Sequence, residues 1–359
     1  MGLMESILRP PLVGIDIGAS GIKAVELVHS KTPRLVAYNR VALPVGAVGE
    51  NGEIVERGAL VKALGLLRES GVFTSQRAAV GLPAGGVTIR KISVPQMSAA
   101  ELRHQLYWEA EQYLPVDVNE VNVDSAIIGP SNLPGQTTPK MDVLLVAARK
   151  DTVATYSSLA QEAGWQVSVV DSQPFALGNS FVFNFGYRWK RSAVDVASLV
   201  VDLGAGQTKL VIVEGDKTTF SKELTQGGNL CTRWIADALG LSFLEAERTK
   251  LSNPEPPVLG IIERFSATLV EEVARAVGQY TSKQTDLGLQ GIYLCGGGVH
   301  LPGIGPCFEE RFSIPVHPLN PIQNIAGAGR ALPRQALHEL PYLGAVGVGL
   351  ALRQLGDSQ

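Results

Sequence analysis

The sequence predicts an α/β protein built from two similar halves. Two segments repeat one pattern of apolar strand, aspartate, turn of small residues and second strand: VGIDIGASGIKAVEL (Val13 to Leu27) and LVVDLGAGQTKLVIV (Leu199 to Val213). The chain has 359 residues, of which 45% are hydrophobic and 18% charged, so it can bury a large core and form two or more domains. Strand and helix periodicities alternate along both halves, which favours doubly wound α/β cores.

The turns of the two repeats favour phosphate binding. In each repeat a buried strand brings an aspartate to its end, and the Gly-rich turn exposes backbone N–H groups before the chain returns as a hairpin. Two such turns facing each other would hold a polyphosphate. The sequence has no GxxxxGKS/T segment, and Lys209 stands where a dinucleotide-binding fingerprint would need its third Gly.

The first half begins with three predicted strands and a helix. The strands cover Leu12 to Ile17, Ile22 to Val28 and Leu35 to Leu43, and the apolar stripe of the helix is Leu60, Val61, Leu64 and Leu67. The segment WQVSVVD and a helix from about Pro174 complete this half after an interruption.

Residues 80–164 interrupt the first half and are predicted to form an inserted subdomain. Ser98 and Glu101 make a capping box for a helix. Alternating apolar residues predict strands over Val121 to Ile127 and Val143 to Ala147, and a further helix precedes residue 164.

The second half repeats the order of the first. Strands up to Leu224 are followed by the turn TQGGN, where Gly227, Gly228 and Asn229 open a helix whose free N–H groups suit an anion. Residues 258–277 have the apolar spacing of a long helix. Residues 318–341 are predicted to be an irregular loop, and LGAVGVGLALRQL a helix packed on the first half.

Composition excludes several classes of function. A formal charge of −3 and a pI near 6.0 argue against nucleic-acid binding. Cys231, Cys295 and Cys307 lack metal or disulfide spacing, and the first two are predicted to be buried thiols in a reducing cytoplasm. No apolar run approaches the roughly 20 residues that a membrane span needs.

A third segment and a helix complete a nucleotide-binding set. Ile292 to Ile304 is an apolar strand followed by Gly296, Gly297 and Gly298, where a flat base could approach the backbone. Glu247 and Lys250 lie three apart on a predicted helix and could reach ribose hydroxyls and base together. The order of loop, loop, Glu-x-x-Lys helix and triple-Gly turn resembles the actin-like ATPase superfamily, which includes MreB and FtsA.

This resemblance implies an actin-like ATPase fold of two ribonuclease-H-like domains. The first would comprise residues 1–79, 165–196 and 342–359, and the second residues 197–341, with 225–290 as its outer subdomain.

The resemblance also implies the roles of the site residues, with ATP and Mg²⁺ as cofactors. Asp16 and Asp202 would hold Mg²⁺, largely through waters. Lys23 would add a positive charge at the phosphates. The phosphate-binding residues would be Gly18, Ala19 and Ser20 on one side and Gly204, Ala205, Gly206, Gln207 and Thr208 on the other.

Two residues are candidates for catalysis. The segment VDSQPFALG corresponds to the connecting helix that carries a water-positioning Gln or Glu in relatives, and Gln173 stands nearest to that position. A neutral amide orients water but cannot take its proton, so we expect slow turnover. Asp171 is the other candidate, with an N-cap role as its alternative.

The insert resembles that of the PilM family, the cytoplasmic actin-like components of type IV pilus machines. The segment VPQMSAAELRHQLYWEAEQYLPVDVNEVNVD carries the likeness, together with IDIGASGIKAVEL and GLALR. It implies a cytoplasmic adaptor at the inner face of the membrane that binds the cytoplasmic tail of a PilN-type protein, with pilus motor ATPases as further candidate partners. Trp108 points away from the apolar stripe of its helix, so it either packs on the first domain or lines a groove for this tail.

Two alternatives remain open at this point. One is a sugar or small-molecule kinase with the same ATP clamp, which would need an acidic base in the cleft, and Asp171 is the candidate for it. The other is an FtsA-like filament-forming division protein.

Overall fold

The structure is a computed structural model that describes residues 9–30, 32–114, 117–131, 138–186, 197–252, 254–281, 288–327 and 332–353. Residues 107–110 are described by their backbone alone. The elements up to residue 185 are β1 (Arg9–Gly18), β2 (Gly21–His29), β3 (Arg34–Ala42), α1 (Arg57–Glu69), β4 (Arg77–Leu82), β5 (Val87–Pro95), α2 (Ala99–Tyr113), β6 (Val121–Pro130), β7 (Lys140–Arg149), α3 (Lys150–Glu162), β8 (Gln166–Ser172) and α4 (Gln173–Phe185). The later elements are β9 (Ala197–Leu203), β10 (Thr208–Glu214), β11 (Lys217–Leu224), α5 (Gly228–Leu239), α6 (Phe243–Leu251), α7 (Pro256–Thr281), β12 (Leu289–Cys295), α8 (Ile304–Phe312), β13 (Val316–Pro318), α9 (Arg334–Leu343) and α10 (Ala345–Ala351).

The two halves contain sheets of the same strand order, so the predicted duplication is confirmed. The first sheet has the order β3-β2-β1-β4-β8 and the second β11-β10-β9-β12-β13. In each, three antiparallel strands are followed by two that run parallel to the first strand of the half. The central strands are apolar on both faces, since helices cover both sides of each sheet.

Helices α4 and α10 join the halves. Phe181 and Leu177 of α4 pack in one core with Val200 and Val211 of the second sheet, and Leu350 of α10 belongs to the same core. Contacts of α10 with α4 and β1 confirm that the last apolar stretch packs on the first half.

The predicted irregular loop over residues 318–341 is wrong from Arg334 onward, where α9 begins. Pro333 and Pro341 suggested a loop, yet Pro333 only precedes the first residue of the helix and Pro341 lies in its last turn. Ala336 and Leu340 are four residues apart, so they lie on one face of the helix, and both are buried.

The third sheet, β5-β7-β6, forms the inserted part. Its α2 helix starts at the predicted capping box, because Glu101 accepts hydrogen bonds from the backbone N–H (2.8 Å) and hydroxyl (2.7 Å) of Ser98. By contrast, β4 pairs with β1, and Leu159 and Ala160 of α3 lie in the core of the first sheet. We therefore propose that the insert comprises residues 83–149, which is shorter at both ends than the insert predicted from the sequence, residues 80–164.

The buried cysteines match their predicted environment. Cys231 and Cys295 are buried free thiols. Burial raises the pKa of the Cys231 thiol to about 11. Burial likewise raises the pKa of the Cys295 thiol, and in both residues it disfavours the thiolate, which is the reactive form.

Glu26 of β2 ties the first sheet to the segment before β4, and its neutralisation should be costly. The side chain is fully buried and accepts hydrogen bonds from the backbone N–H groups of Thr74 (2.8 Å) and Ser75 (3.0 Å). Glu26→Gln replaces one acceptor by a donor, so we expect a loss of about 2 kcal/mol in the free energy of unfolding.

Urea unfolding of the Glu26→Gln variant measures this effect. The control variant is Glu69→Gln, because Glu69 is an exposed residue at the end of α1. Equal unfolding midpoints for the two variants would contradict the role of Glu26.

Candidate functional site

A cavity of about 660 Å³ lies between the two halves and collects most of the predicted site residues. The ends of β1 and β9 meet there with their turns. Predicted residues on its wall are Asp16, Gly18, Ala19, Ser20, Lys23, Gln173, Asp202, Gly204, Ala205, Gly206, Gln207, Gly228, Asn229, Glu247, Lys250, Gly296, Gly297 and Gly298.

The first hairpin presents an aspartate and a lysine to the cavity. Asp16 and Lys23 are directly opposed in the β1–β2 ladder, and Lys23 Nζ lies 2.9 Å from Asp16 Oδ2. The other carboxylate oxygen, Asp16 Oδ1, is buried and accepts no hydrogen bond among the described residues. The aspartate therefore keeps one acceptor for a cation or a metal-bound water.

The second hairpin contains the same pair, which the sequence analysis missed. Asp202 and Lys209 are opposed in the β9–β10 ladder, with Lys209 Nζ 3.3 Å from Asp202 Oδ2. In both hairpins the lysine follows its aspartate by seven residues. This equal spacing within the repeat was the available signal, but Lys209 was considered only as the residue that breaks a glycine fingerprint.

Lys209 lies in an acidic environment. Burial lowers its pKa, but the carboxylates of Asp202, Asp16 and Glu223 outweigh burial, so the pKa of Lys209 is raised. Glu223 of β11 is itself partly buried, and the desolvation of its carboxyl raises its pKa. It accepts a hydrogen bond from the backbone N–H of Ala84 (3.0 Å), across the boundary between the halves. The ammonium of Lys209 thus remains charged at neutral pH.

The two Gly-rich turns touch each other. A Cβ at Gly206 would lie 2.9 Å from Cβ of Ala19, so only a glycine lets the turns approach this closely. The two turns therefore face each other in the structure, as predicted.

The Glu-x-x-Lys pair lies on α6, at one end of the cavity. Lys250 Nζ is 2.6 Å from Glu247 Oε2, and it donates to Thr232 Oγ1 (2.7 Å) and to the carbonyl of Gly228 (3.1 Å). The lysine side chain is buried, whereas that of Glu247 is 33% exposed. Glu247 is thus the member of the pair that is available to a ligand, and Lys250 holds it in place.

The triple-Gly turn lies against Asp202. Gly296 has a φ of 86°, and a Cβ there would lie 2.4 Å from Asp202 Oδ1. Gly297 begins a short 3₁₀ turn that ends at His300. Glycine is needed at residue 296 both for this backbone conformation and for the approach to the carboxylate.

Helix α9 adds residues to the cavity that the sequence analysis did not identify. His338, Glu339 and Tyr342 line it, and the Tyr342 ring meets the His300 ring edge-on at a centroid distance of 4.4 Å. His338 and Glu339 fell in the predicted irregular loop and Tyr342 directly follows it, so no functional role was expected of them.

Of the two candidates for catalysis, only Gln173 lies on the cavity. Its Nε2 donates to the carbonyl of Ile17 (3.1 Å) next to Asp16. The structure places Asp171 elsewhere: its carboxylate forms an ion pair with Arg353 (3.0 Å) and accepts from the backbone N–H of Ser172 (2.7 Å). The strand end turns Asp171 away from the cleft, so the kinase alternative loses its candidate base.

Two predicted phosphate-binding residues also lie outside the cavity wall. Thr208 is fully buried, and its hydroxyl donates to the carbonyl of Gln226 at 2.6 Å. Gly227 packs against the backbone of Ala205 and Gly206, where a Cβ would lie within 2.4 Å of the Ala205 carbonyl oxygen. Both support the second turn from behind.

The carboxylates of the cavity suit a Mg²⁺ ion that is bound together with a nucleotide, rather than a metal ion held by protein side chains alone. The described residues contain no cluster of three or more His, Cys, Asp or Glu side chains that could hold a metal ion. Asp16 and Asp202 line the cavity next to the two turns, and Asp16 Oδ1 has no hydrogen-bond partner among the described residues. Mg²⁺ commonly takes one or two carboxylates and completes its shell with water and phosphate.

A second cavity of about 220 Å³ lies between the insert and the first sheet. We call it the insert groove; residues 122–126 of β6 and 170–172 of β8 line its two sides. Both strands are the outer strands of their sheets. Phe175 also lines the groove, together with Asp171 and Arg353. The side chain of Trp108 lies outside the described residues, so its predicted place in a groove stays a prediction.

Comparison with known proteins identifies the family. The family model for "Type IV pilus assembly protein PilM" matches residues 14–355. The chain belongs to the PilM family. It is similar over 97% of its length, and over 100% of the other chain, to a structure of the "PilM-PilN type IV pilus biogenesis complex", with 29% identity and a TM-score of 0.81.

A further curated protein and a further solved structure are also similar to this chain. The ethanolamine utilization protein EutJ of Salmonella typhimurium is 30% identical over 182 residues, which are 48% of this chain and 57% of EutJ. The chain thus spans little more than half of that relative. The structure of MreB5 of Spiroplasma citri bound to ADP has a TM-score of 0.50 and 13% identity. The similarity covers 88% of this PilM-family chain and 93% of the MreB5 chain. The predicted actin-like ATPase fold is confirmed.

Within the described part of the chain, no helix combines the length and apolar character that crossing a membrane would require.

Proposed function

We propose that this protein is an ATP-binding adaptor of the type IV pilus assembly platform, located at the inner face of the cytoplasmic membrane. It binds the N-terminal cytoplasmic tail of a PilN-type membrane protein. The observation that carries the proposal is the similarity of the whole fold, both halves and the insert, to a structure of a PilM-PilN complex.

The cavity between the halves supports the nucleotide part of the proposal. Backbone N–H groups of the two facing turns suit phosphates, and Lys23 and Lys209 place an ammonium beside each turn. Glu247 of α6, whose side chain is partly exposed, suits ribose hydroxyls. Asp16 and Asp202 would hold Mg²⁺, which would neutralise phosphate charge.

The residues around the cavity favour slow hydrolysis. Gln173 is a neutral amide already bonded to the carbonyl of Ile17, and it can orient a water molecule but cannot accept its proton. Phosphoryl transfer would therefore depend on positioning and charge alone. In this proposal, binding of the nucleotide matters more than its turnover.

The insert groove supports the tail-binding part. Outer strands expose unpaired backbone groups, so an extended peptide can add to β6 or β8 by main-chain hydrogen bonds. Val123 of β6 exposes 38% of its surface beside the groove, and Phe175 supplies an apolar wall. An extended tail with apolar side chains matches this surface.

Fluorescence anisotropy with a labelled PilN-type N-terminal tail peptide tests the proposal, with and without Mg·ATP. We expect saturable binding in at least one state and a nucleotide-dependent change in affinity, because α4 and α10 connect the halves around the cavity. Absence of peptide binding in both states would overturn the adaptor function. A scrambled peptide of the same composition is the matched control.

A further inference from the structure

Lys209 differs from an ordinary surface lysine in its surroundings. Its side chain is 10% exposed, on the wall of the cavity between the halves. It lies opposite Asp202 in the ladder on one side and opposite Glu223 on the other. A buried ammonium is retained only where carboxylates or a bound anion compensate its desolvation.

Together, the two hairpins form a symmetric set of charges. Asp16 with Lys23 and Asp202 with Lys209 contribute two negative and two positive charges to one cavity. In each pair the ammonium lies next to the carboxylate Oδ2 atom. Each lysine therefore offsets part of the charge of the carboxylate beside it, through one of its two oxygens.

The same ammonium groups are suited to phosphate. An ammonium has three N–H donors, and among the described residues Lys209 directs one to Asp202 over a long 3.3 Å. Gly204, Gly206 and Gln207 of the adjoining turn line the same cavity. A phosphate held by this turn would meet Lys209 directly and Lys23 from the opposite turn.

We propose that Lys209 is a resident cation of the nucleotide site, which supplies part of the positive charge that Mg²⁺ would otherwise bring to the phosphates. Nucleotide then binds with only weak dependence on Mg²⁺. This inference rests on the proposed nucleotide-binding function. It assigns to the second hairpin the charge that Lys23 supplies in the first.

Equilibrium binding of a fluorescent ATP analogue in Mg²⁺ and in EDTA tests the proposal. We expect the affinity of the wild-type protein to differ by less than about threefold between the two conditions, and Lys209→Gln to lose at least about tenfold in EDTA. Added Mg²⁺ should restore much of the loss in Lys209→Gln. Lys209→Arg, which keeps the charge, should behave like the wild type.

Lys222→Gln is the matched control, because this lysine lies on β11 with its amine directed to Gln279 at 3.5 Å and off the cavity wall. Unchanged binding by Lys209→Gln in EDTA would overturn the proposal. Wild-type binding that occurs in Mg²⁺ but is lost in EDTA would also overturn it, while leaving the proposed function intact. Absence of wild-type binding in both conditions would instead overturn the nucleotide-binding function itself.

Discussion

Gly349→Ala is expected to destabilise the protein by about 3 kcal/mol, at the upper end of the usual cost of overpacking. Gly349 lies in α10, where this helix crosses α4 in backbone contact. A Cβ at Gly349 would lie 1.7 Å from the carbonyl oxygen of Ala176 and 2.4 Å from its carbonyl carbon. Backbone atoms inside a helix cannot move aside as a side chain can, so the two helices must separate and the core between the halves must open.

Thermal unfolding measures the effect as a drop of about 5 °C or more in the first transition. Gly260→Ala is the matched control, since Gly260 lies inside α7 and an added methyl group there would have nothing within 4 Å. At this position the substitution should stabilise the helix by up to about 1 kcal/mol, because alanine loses less backbone freedom than glycine. Equal melting temperatures for the two variants would contradict the close crossing of α10 and α4.

Val123→Glu is expected to weaken binding of the PilN-type tail peptide by at least about tenfold, or about 1.4 kcal/mol. Val123 is a partly exposed apolar residue on the β6 side of the insert groove. A carboxylate there would be covered by an apolar peptide without a partner, and such burial is costly. Affinity for the fluorescent ATP analogue should stay unchanged, because Val123 does not line the cavity between the halves.

The matched control for the groove is Ile127→Glu. Ile127 lies on the same strand and is 37% exposed, almost as much as Val123 at 38%, but it does not line the insert groove. Anisotropy with the labelled peptide should give an affinity within about twofold of the wild type for this variant, as surface substitutions away from a contact are usually near neutral. Equal loss in both variants, or none in either, would contradict the insert groove as the tail site.

Much of the site could be predicted from the sequence because it is local. Asp16 and the small residues after it form one hairpin turn, so strand pairing alone fixes their relation. Glu247 and Lys250 are neighbours on one helical face for the same reason. Most predictions that depend on such short separations reached the cavity, with Thr208 and Gly227 as exceptions.

Predictions that depended on distant contacts were less accurate. Asp171 follows the pattern of a residue at a strand end, but its direction is set by Arg353, which lies 182 positions later. Thr208 belongs to the second turn in sequence, yet the carbonyl of Gln226 draws its hydroxyl away from the cavity. Helix α9 was missed because its prolines suggested a loop, whereas burial of Leu340 in the core stabilises the helix.

The sequence by itself determined the duplicated α/β architecture and the two Gly-rich turns with their aspartates. It also showed the resemblance of the insert to that of the PilM family. Each of these is encoded in periodicity or in a short motif. Only the tertiary structure decided which residues share the cavity, that Lys209 repeats the role of Lys23, and that a groove runs between β6 and β8. The physical reason is that burial and charge pairing act between residues that are close in space, and chain position alone does not specify which residues those are.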